Sequence, residues 1–596
     1  MIRTPLRPLA RILRAREAGE NPDVIERENL RLRHEQMRDR ARLQAQGRLL
    51  FLAAFFTVAF GTVGTRMGMM AGAETEGPSA RAAASAINAQ RSDIVDRNGR
   101  ILATNLDTYA LYAQPAQMVD KVGAARELVK IFPDLDEERL VKDFTGKRKF
   151  LWVKKKLSPE QMQAVHDIGD PGLLFGPREM RLYPNGRLAS HILGGARFGV
   201  EGVNSAELVG VAGVEKEFDA RLRDKARAGE PLQLSLDLTV QDAVEQVLSG
   251  GMKMMNAKGA AAVLMDAYSG EIVSMASLPD FDPNDRPGPV VRGSPSDSPL
   301  FNRAVQGVYE LGSTFKIFAV AQAMQIGMLG PDTLVDADAP LKWGKFTIRE
   351  FQNKNYGPLL SAQDVIVKSS NVGVAHIALR LGAERQQAFL RQLGFFEPTE
   401  VELVEAPTGR PLLPPKWSEL VTITASYGHG IAASPLHLAA AYATIVNGGL
   451  KVTPTILKQD RPQPGERVLD EQVSADVRKM LRAVVDHGTA TFGEVEGYQV
   501  GGKTGTADKP KPTGGYYDDK VITTFASMFP ASAPRYVLIV ALDEPVETSG
   551  PKPRRTAGWT AVPVAAEIIR RVAPLLGIRP IVEDTPVPAL TLTASN

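Results

Sequence analysis

Serine and lysine residues occur at a spacing that could support acyl transfer. In Ser313-Thr314-Phe315-Lys316, the serine and the lysine are three residues apart. On a helix this spacing places both side chains on one face, so the amine can reach the hydroxyl. A serine hydroxyl is a weak nucleophile until a base takes its proton, and a lysine near other cationic groups can be neutral enough to serve. The motif predicts Ser313 as the nucleophile and Lys316 as its base.

Two further motifs could complete such a site. They are Ser369-Ser370-Asn371 and Lys503-Thr504-Gly505. We expect Ser369 to relay a proton to the leaving amine and Asn371 to hydrogen-bond a substrate amide. Lys503 and Thr504 would bind a carboxylate. Gly505, which has no side chain, would let the substrate lie along a strand as an added β-strand.

The hydrophobic pattern predicts the elements that position these motifs. Apolar helical patterns run over residues 313–327, 363–380, 435–446 and 561–576. Ser313 would therefore lie at a helix N-terminus, where the helix dipole favours developing negative charge. Strand-like runs lie both before and after these helices, at 258–277, 498–506, 522–530 and 535–545. This order predicts one antiparallel sheet, built from the two ends of the domain and flanked by helices. Further upstream, Asp96-Arg97-Asn98-Gly99 predicts a hairpin turn.

Residues 497–504 also match the phosphate-binding pattern G-x-x-x-x-G-K-[ST]. That pattern binds phosphate only when a helix N-terminus follows it. Here the next residues, 505–515, contain two prolines and three glycines, which disfavour a helix. We therefore interpret this segment as a strand and not as a nucleotide-binding loop.

Composition excludes several other kinds of chemistry. The chain has no cysteine, which excludes thiolate nucleophiles, cysteine zinc sites and disulfides. Its seven histidines show no metal-ligand spacing, so we expect no metal and no cofactor, and we interpret His429 and His437 as core or surface residues. Twelve arginines against seven acidic residues make the first 48 positions basic, whereas the rest is slightly acidic. Because a nucleic-acid-binding domain would carry a basic folded face, we expect no nucleic-acid partner.

An uncharged apolar segment, LLFLAAFFTVAFGTVGT at residues 49–65, predicts a membrane anchor over 49–70. The arginine excess before it places the N-terminus in the cytoplasm, with the following residues in the periplasm of a Gram-negative cell. A cleaved signal peptide is the main alternative, because Ala71-Gly72-Ala73 resembles a cleavage site; the long leader disfavours it. A buried core helix would show a polar stripe, which this segment lacks.

Several longer stretches resemble the class B penicillin-binding proteins, which are membrane-anchored D,D-transpeptidases of peptidoglycan. Beyond the S-x-x-K, S-x-N and K-T-G motifs, the resemblance rests on residues 91–105, 181–194, 213–222, 267–284, 426–449 and 503–506. It extends from about Arg91 to about Leu576. The phrase TAGWTAVPVAAEI at 556–568 is most similar to the division-specific, FtsI-type branch, and the elongation-specific branch is the close competitor.

The resemblance implies an α+β multidomain chain with a serine β-lactamase-like transpeptidase domain. Its expected parts are a cytoplasmic arm (1–48), a transmembrane anchor (49–70), a periplasmic stalk and dimerisation or pedestal domain (71–235), the transpeptidase domain (236–578) and a disordered tail (579–596). It also implies that Ser313 is acylated and that the backbone N–H groups of Ser313 and Thr506 form the oxyanion hole. The family commonly has proline two residues before the serine, where this chain has Leu311.

The implied function is peptidoglycan cross-linking during septal wall synthesis at the inner membrane. The implied partners are stem peptides, β-lactam antibiotics, an FtsW-like glycosyltransferase and other membrane proteins of the division machinery. A β-lactamase would need a deacylating base, and none is identified. A penicillin-sensing receptor would normally need more membrane spans and a cytoplasmic effector domain. This alternative is disfavoured because the 48 residues before the predicted anchor are too few for such a domain. A catalytically idle scaffold is disfavoured because every catalytic residue is present.

Overall fold

The computed structural model describes residues 7–19, 52–63, 91–201, 206–461, 465–511 and 513–581, together with a few isolated positions between 21 and 46. The predicted stalk over 71–90 and the predicted tail from 582 onward lie outside these residues. The chain divides into two compact units, Met1–Asn88 and Ala89–Asn596. The predicted boundary at residue 235 within the second unit stays a prediction.

The first unit contains helix α1 (Arg7–Glu17), and residues 52–63 are also helical. These twelve residues are the described part of the predicted anchor at 49–70. Within the described part of the chain, no helix has the length and apolar character needed to cross a membrane.

The N-terminal part of the second unit is a mixed α/β module. Its strands are β1 (Ile94–Val95), β2 (Ile101–Ala113), β3 (Leu151–Leu157), β4 (Leu173–Leu182), β5 (Gly195–Glu201), β6 (Ala206–Ala212) and β7 (Leu232–Gln233). The main sheet has the order β3-β2-β1-β7, and β4 pairs with β2; β5 and β6 form a separate pair. The predicted hairpin is confirmed, because β1 and β2 pair antiparallel across the Asp96–Gly99 turn and Asp96 Oδ1 accepts from the backbone N–H groups of Asn98 and Arg100. The helices are α2 (Lys121–Ile131), α3 (Glu137–Thr145), α4 (Pro159–Asp167), α5 (Ser190–Leu193), α6 (Gly213–Glu217) and α7 (Asp219–Leu222).

Three stretches that carry the family resemblance converge on one buried carboxylate in this module. Glu215 accepts from Arg91 Nε at 2.6 Å and from Arg181 Nε at 2.7 Å. Tyr183 donates its hydroxyl to the same carboxylate at 3.2 Å. Two guanidinium groups and a phenol compensate the burial of this charge, which alone would be costly. The motifs are therefore tied together by one ion-pair cluster, although they lie far apart in the sequence.

The C-terminal part is built on one antiparallel sheet, as predicted from strands at both ends of the domain. Its strands are β8 (Gly259–Asp266), β9 (Ile272–Leu278), β14 (Gly501–Pro510), β15 (Tyr516–Phe529) and β16 (Tyr536–Asp543). Their order in the sheet is β14-β15-β16-β8-β9. Every residue of β8, β9 and β16 is buried, so both faces of the central sheet are covered. Four short strands form two small hairpin-like pairs: β10 (Leu334–Asp336), β11 (Leu341–Trp343), β12 (Phe346–Ile348) and β13 (Leu359–Ser361).

Helices surround this sheet and carry the first two motifs. They are α8 (Leu238–Met254), α9 (Lys316–Gln325), α10 (Ala362–Val367), α11 (Asn371–Leu381), α12 (Ala383–Gln392), α13 (Glu419–Ser426), α14 (Pro435–Val446), α15 (Glu471–His487) and α16 (Ala561–Leu575). Helix α9 is buried on all sides from Lys316 to Met324, as its largely apolar sequence predicts, and Lys316 and Gln322 are the polar residues of this stretch. The prediction of one continuous helix over 363–380 is wrong. The chain leaves the helical conformation at Ser369, whose φ is +61°, and this break separates α10 from α11.

Candidate active site

The three motifs meet at one cavity of about 430 Å³. Its lining includes Ser313, Ser369, Asn371, Thr504 and Thr506, which come from all three motifs. The side chains of Lys316 and Lys503 are fully buried beside them. Residues far apart in sequence are therefore brought within reach of a single substrate.

Ser313 lies on a 3-10 turn, Gly312–Phe315, directly before α9. Tight packing fixes this turn on two sides. A Cβ at Gly312 would lie 2.8 Å from the carbonyl oxygen of Thr506, and a Cβ at Gly505 would lie 2.2 Å from that of Leu311. Both positions thus require glycine, and Gly312 also has a φ of +56°. Leu311, where the resemblance expects proline, is buried, so packing holds the turn.

The Ser313 hydroxyl lines the cavity and forms no hydrogen bond with any other residue that the structure describes. A Cβ at Gly312 would lie 3.1 Å from the backbone nitrogen of Thr506, which places that N–H group next to the serine turn. This is the arrangement expected if the backbone N–H groups of Ser313 and Thr506 hold an oxyanion. Gly505 was predicted to leave room for the substrate; the structure shows that it also allows β14 to pack against the serine turn at Leu311.

Lys316 is buried, and its Nζ is held by the second motif. It donates to the Ser369 carbonyl oxygen at 2.6 Å, to Asn371 Oδ1 at 2.7 Å and to Ser369 Oγ at 3.1 Å. Burial lowers the pKa of Lys316 to about 7, although the nearby Glu350 carboxylate opposes this shift. A neutral amine keeps two N–H donors for the carbonyl and the amide oxygen, and its lone pair can accept a proton. Lys316 can thus serve as a base near neutral pH.

Ser369 lies between two amines. Lys503 Nζ donates to Ser369 Oγ at 2.9 Å, on the same oxygen that Lys316 contacts. The pKa of Lys503 is also well below its ordinary value, first because of burial and second because of the Lys316 charge. Ser369 therefore connects the two amines and can pass a proton between the interior and the cavity. Its left-handed backbone conformation makes this possible, since it turns both its carbonyl and its hydroxyl toward Lys316.

Asn371, Thr504 and Thr506 offer polar groups to a ligand in the cavity. Asn371 Nδ2 donates to the Arg349 carbonyl oxygen at 2.9 Å, which leaves its second N–H for a ligand. Thr504 and Thr506 are two residues apart on β14, so their side chains lie on the same face of the strand, and both line the cavity. Because β14 is the edge strand of the sheet, an extended peptide could pair with it. The seven residues predicted from the motifs, and Thr506, which the family resemblance adds, are thus found at or directly beside one cavity.

Sequence reasoning did not identify Glu350, a buried carboxylate next to the second motif. It accepts from Ser370 Oγ at 2.5 Å, from the Asn371 backbone N–H at 2.7 Å and from that of Val372 at 3.2 Å. A negative charge at the N-terminus of α11 is favourable for the helix dipole. Glu350 therefore fixes the turn that presents Ser369 and Asn371 to Lys316. No local spacing rule relates it to that motif, 19 positions downstream.

Replacement of Glu350 by glutamine is expected to slow acylation by a β-lactam about 10- to 100-fold. Glutamine keeps one acceptor oxygen but presents an N–H donor to a backbone N–H, and such a mismatch costs about 1–3 kcal/mol. Because the Glu350 charge raises the pKa of Lys316, its removal should also shift the midpoint of the acylation pH profile below 7. Stopped-flow acylation across pH measures both effects. The exposed Glu384→Gln is the matched control; an unshifted midpoint in Glu350→Gln would argue against this role.

Other parts of the cavity wall were also missed by sequence reasoning. Aromatic side chains line it at Phe351, Tyr356, Tyr427, Phe492 and Trp559. His429 is partly exposed and lines the cavity, whereas His437 is buried, so their positions fit the interpretation as surface and core residues. In the described residues, no group of three or more His, Asp or Glu side chains is arranged to hold a metal ion.

Comparisons with known proteins agree with this geometry. Residues 260–570 match the penicillin-binding protein transpeptidase domain, and residues 86–229 match the penicillin-binding protein dimerisation domain. The chain is 37% identical over 509 residues to the probable peptidoglycan D,D-transpeptidase FtsI of Caulobacter vibrioides, covering 83% of each chain. It is 28% identical over 525 residues to peptidoglycan D,D-transpeptidase FtsI of Escherichia coli, covering 83% of this chain and 85% of that one. Among solved structures, penicillin-binding protein 3 of Mycobacterium tuberculosis in complex with aztreonam is similar, with a TM-score of 0.63 and 27% identity, over 83% of this chain and 98% of that one.

Proposed function

Because this chain belongs to the class B penicillin-binding proteins, with FtsI-type peptidoglycan D,D-transpeptidases among its relatives, we propose that it cross-links stem peptides through an ester on Ser313 during septal wall synthesis. One observation carries the assignment of the reacting groups. The Ser313 hydroxyl shares a cavity with Ser369, on whose oxygen two buried lysine amines converge.

The reaction begins when Ser313 Oγ attacks the carbonyl carbon of the penultimate D-alanine and its proton passes to Lys316. The backbone N–H groups of Ser313 and Thr506 hold the resulting oxyanion. When the tetrahedral intermediate collapses, the C–N bond breaks and the proton returns through Ser369 to the leaving D-alanine. An amine of a neighbouring stem then attacks the ester carbonyl carbon, the bond from that carbon to Ser313 Oγ breaks, and the serine oxygen regains a proton as the new amide forms. A β-lactam acylates the same serine, but its leaving group stays attached and the ester persists.

We place the catalytic domain in the periplasm, held by a single anchor over residues 49–70 with a cytoplasmic N-terminus. The uncharged segment and the arginine-rich arm before it support this topology. A reporter enzyme that is active only outside the cytoplasm, fused after residue 596, should be active in cells. The same fusion to a chain that lacks residues 49–70 should be inactive, and equal activity of both fusions would contradict the proposed anchor.

We also assign strand polymerisation to a partner, because neither matched domain is a glycosyltransferase domain. An FtsW-like membrane glycosyltransferase, acting with other division proteins, is the partner that the family resemblance supports. Depletion of the chain in its native cell tests the cellular role. Filamentous cells would support septal synthesis. Rounded cells would instead indicate the elongation-specific role and overturn the division assignment.

A further inference from the structure

His429 lies in the wall of the cavity that contains Ser313. It belongs to the loop that follows α13, and this loop packs directly on the serine turn. A Cβ at Gly428 would lie 2.1 Å from the carbonyl oxygen of Gly312, so only glycine permits this contact. The imidazole is therefore fixed near the nucleophile by backbone packing, although it is absent from the three motifs.

A carboxylate orients this imidazole. His429 Nδ1 lies 3.0 Å from Glu310 Oε2, and Glu310 also accepts from the Gly430 backbone N–H at 2.9 Å and from the Tyr516 hydroxyl at 3.0 Å. Burial alone would raise the pKa of Glu310, but its bonds to His429 and Gly430 outweigh this and hold the pKa below its usual range. An ionised carboxylate only accepts hydrogen bonds, so Nδ1 carries the proton. In the neutral ring, Nε2 then has a free lone pair.

Aromatic packing limits rotation of the ring. Tyr427 and Tyr516 lie edge-on to His429, with centroid distances of 5.6 and 6.1 Å. Burial raises the pKa of both tyrosines to about 12, so both hydroxyls stay protonated near neutral pH. The charged groups that line the cavity together with His429 are Asp508, Lys354 and Lys368. The side chain of His429 remains 31% exposed, so a ligand can reach it.

We propose that His429 is the general base for the acceptor amine in the second half-reaction and that Glu310 is its positioning residue. The inference rests on the proposed function and adds a group to it. In the first half-reaction Lys316 serves Ser313 from the buried side. The acceptor arrives later, from the open cavity, as an ammonium ion that cannot attack until it loses a proton. The Lys316 and Lys503 amines are buried and contact Ser369 from the protein interior. His429, in contrast, is partly exposed in the cavity wall, on the side from which the acceptor would enter.

The acceptor nitrogen loses two protons in this half-reaction, one to His429 and one to Lys316. His429 Nε2 takes one proton from the acceptor ammonium, and the neutral nitrogen attacks the ester carbonyl carbon of Ser313. The tetrahedral intermediate gives a second proton to neutral Lys316. The bond from carbon to Ser313 Oγ then breaks, and Lys316 returns that proton to the serine oxygen. The products are the new amide, free Ser313 and a protonated His429, which releases its proton to water.

The test separates the two half-reactions in the purified full-length chain. Fluorescent penicillin measures acylation, which needs no acceptor. A thioester acyl donor, with a peptide amine of pKa about 8 as acceptor, measures the ratio of aminolysis to hydrolysis. We expect His429→Gln to lower aminolysis at pH 7 at least 10-fold and to change penicillin acylation less than about 2-fold. At pH 9, where the acceptor is already neutral, aminolysis should return toward that of the wild type.

Two more variants make the outcome decisive. Glu310→Gln should reduce aminolysis at pH 7 in the same direction but less strongly, because the imidazole stays in place without its charged partner. His166→Gln, on an exposed face of α4, is the matched control and should behave as wild type. Normal aminolysis in His429→Gln, or an equal loss of both half-reactions at every pH, would overturn the inference. A wild type that is not labelled by penicillin would instead overturn the proposed function.

Discussion

Replacement of Ser313 by alanine is expected to abolish covalent labelling of the full-length chain by fluorescent penicillin. In the proposed reaction the hydroxyl oxygen is the atom that forms the ester, so its removal should leave no acyl-enzyme to detect. Loss of a serine nucleophile lowers turnover by about six orders of magnitude in a well-studied serine protease. Labelled protein on a denaturing gel, followed by mass spectrometry of the labelled peptide, provides the measurement.

Ser369 is the one rival nucleophile among the motif serines, since its Oγ contacts both buried amines. Both amines hold Ser369 Oγ in hydrogen bonds, whereas the Ser313 hydroxyl lines the cavity and has no hydrogen-bond partner among the described residues. We therefore expect Ser369→Ala to label slowly but still on Ser313. The exposed Ser294→Ala should label as wild type. Equal labelling of Ser313→Ala and wild type, or a label mapped to Ser369, would contradict the assignment.

The parts of the site that could be predicted are those encoded by short spacing. Ser313 and Lys316 share a helical turn, so local geometry alone relates them. The strand predicted over 498–506 is also confirmed in its main part, since β14 begins at Gly501 and includes the lysine, and no helix follows as a phosphate-binding loop would require. In the same way, apolar strands at both ends of the domain were sufficient to predict its antiparallel sheet.

The break at Ser369 shows where pattern reasoning fails. An apolar periodicity over 363–380 predicts one helix, and nothing in that periodicity indicates a residue with positive φ. The break is stabilised by tertiary contacts: Lys316 binds the freed carbonyl oxygen of Ser369, and Glu350 binds the first N–H groups of α11. Contacts between distant residues therefore override local propensity at the position that the chemistry needs.

Glu310 and His429 were missed for a related reason. They are 119 positions apart, and neither belongs to a spacing that implies a shared role. Their contact exists because Gly428 and Gly312 allow two loops to approach closely. Close approach of two backbones is a property of the folded chain, and glycine content alone does not identify which loops meet.

Replacement of Lys316 is the second change for which we expect a very large effect. Lys316→Met should lower the second-order rate constant of penicillin acylation by about 10³-fold or more, in the range that general-base catalysis supplies. Methionine has a similar length and fills the same apolar surroundings in α9. It removes a buried amine, and its main cost is to leave the Ser369 carbonyl and Asn371 Oδ1 without their donor. We therefore expect a folded protein whose thermal midpoint shifts by only a few degrees.

The pH profile distinguishes loss of a base from loss of structure. In the proposed mechanism, acylation requires the neutral form of Lys316, whose pKa burial lowers to about 7. In the wild type, the rate should rise about tenfold per pH unit below 7 and level off above it, because deprotonation populates the base. In Lys316→Met, the residual rate should lack this rise. A variant that keeps the rise near pH 7, or that acylates as fast as wild type, would exclude Lys316 as the base and point to Lys503 through Ser369.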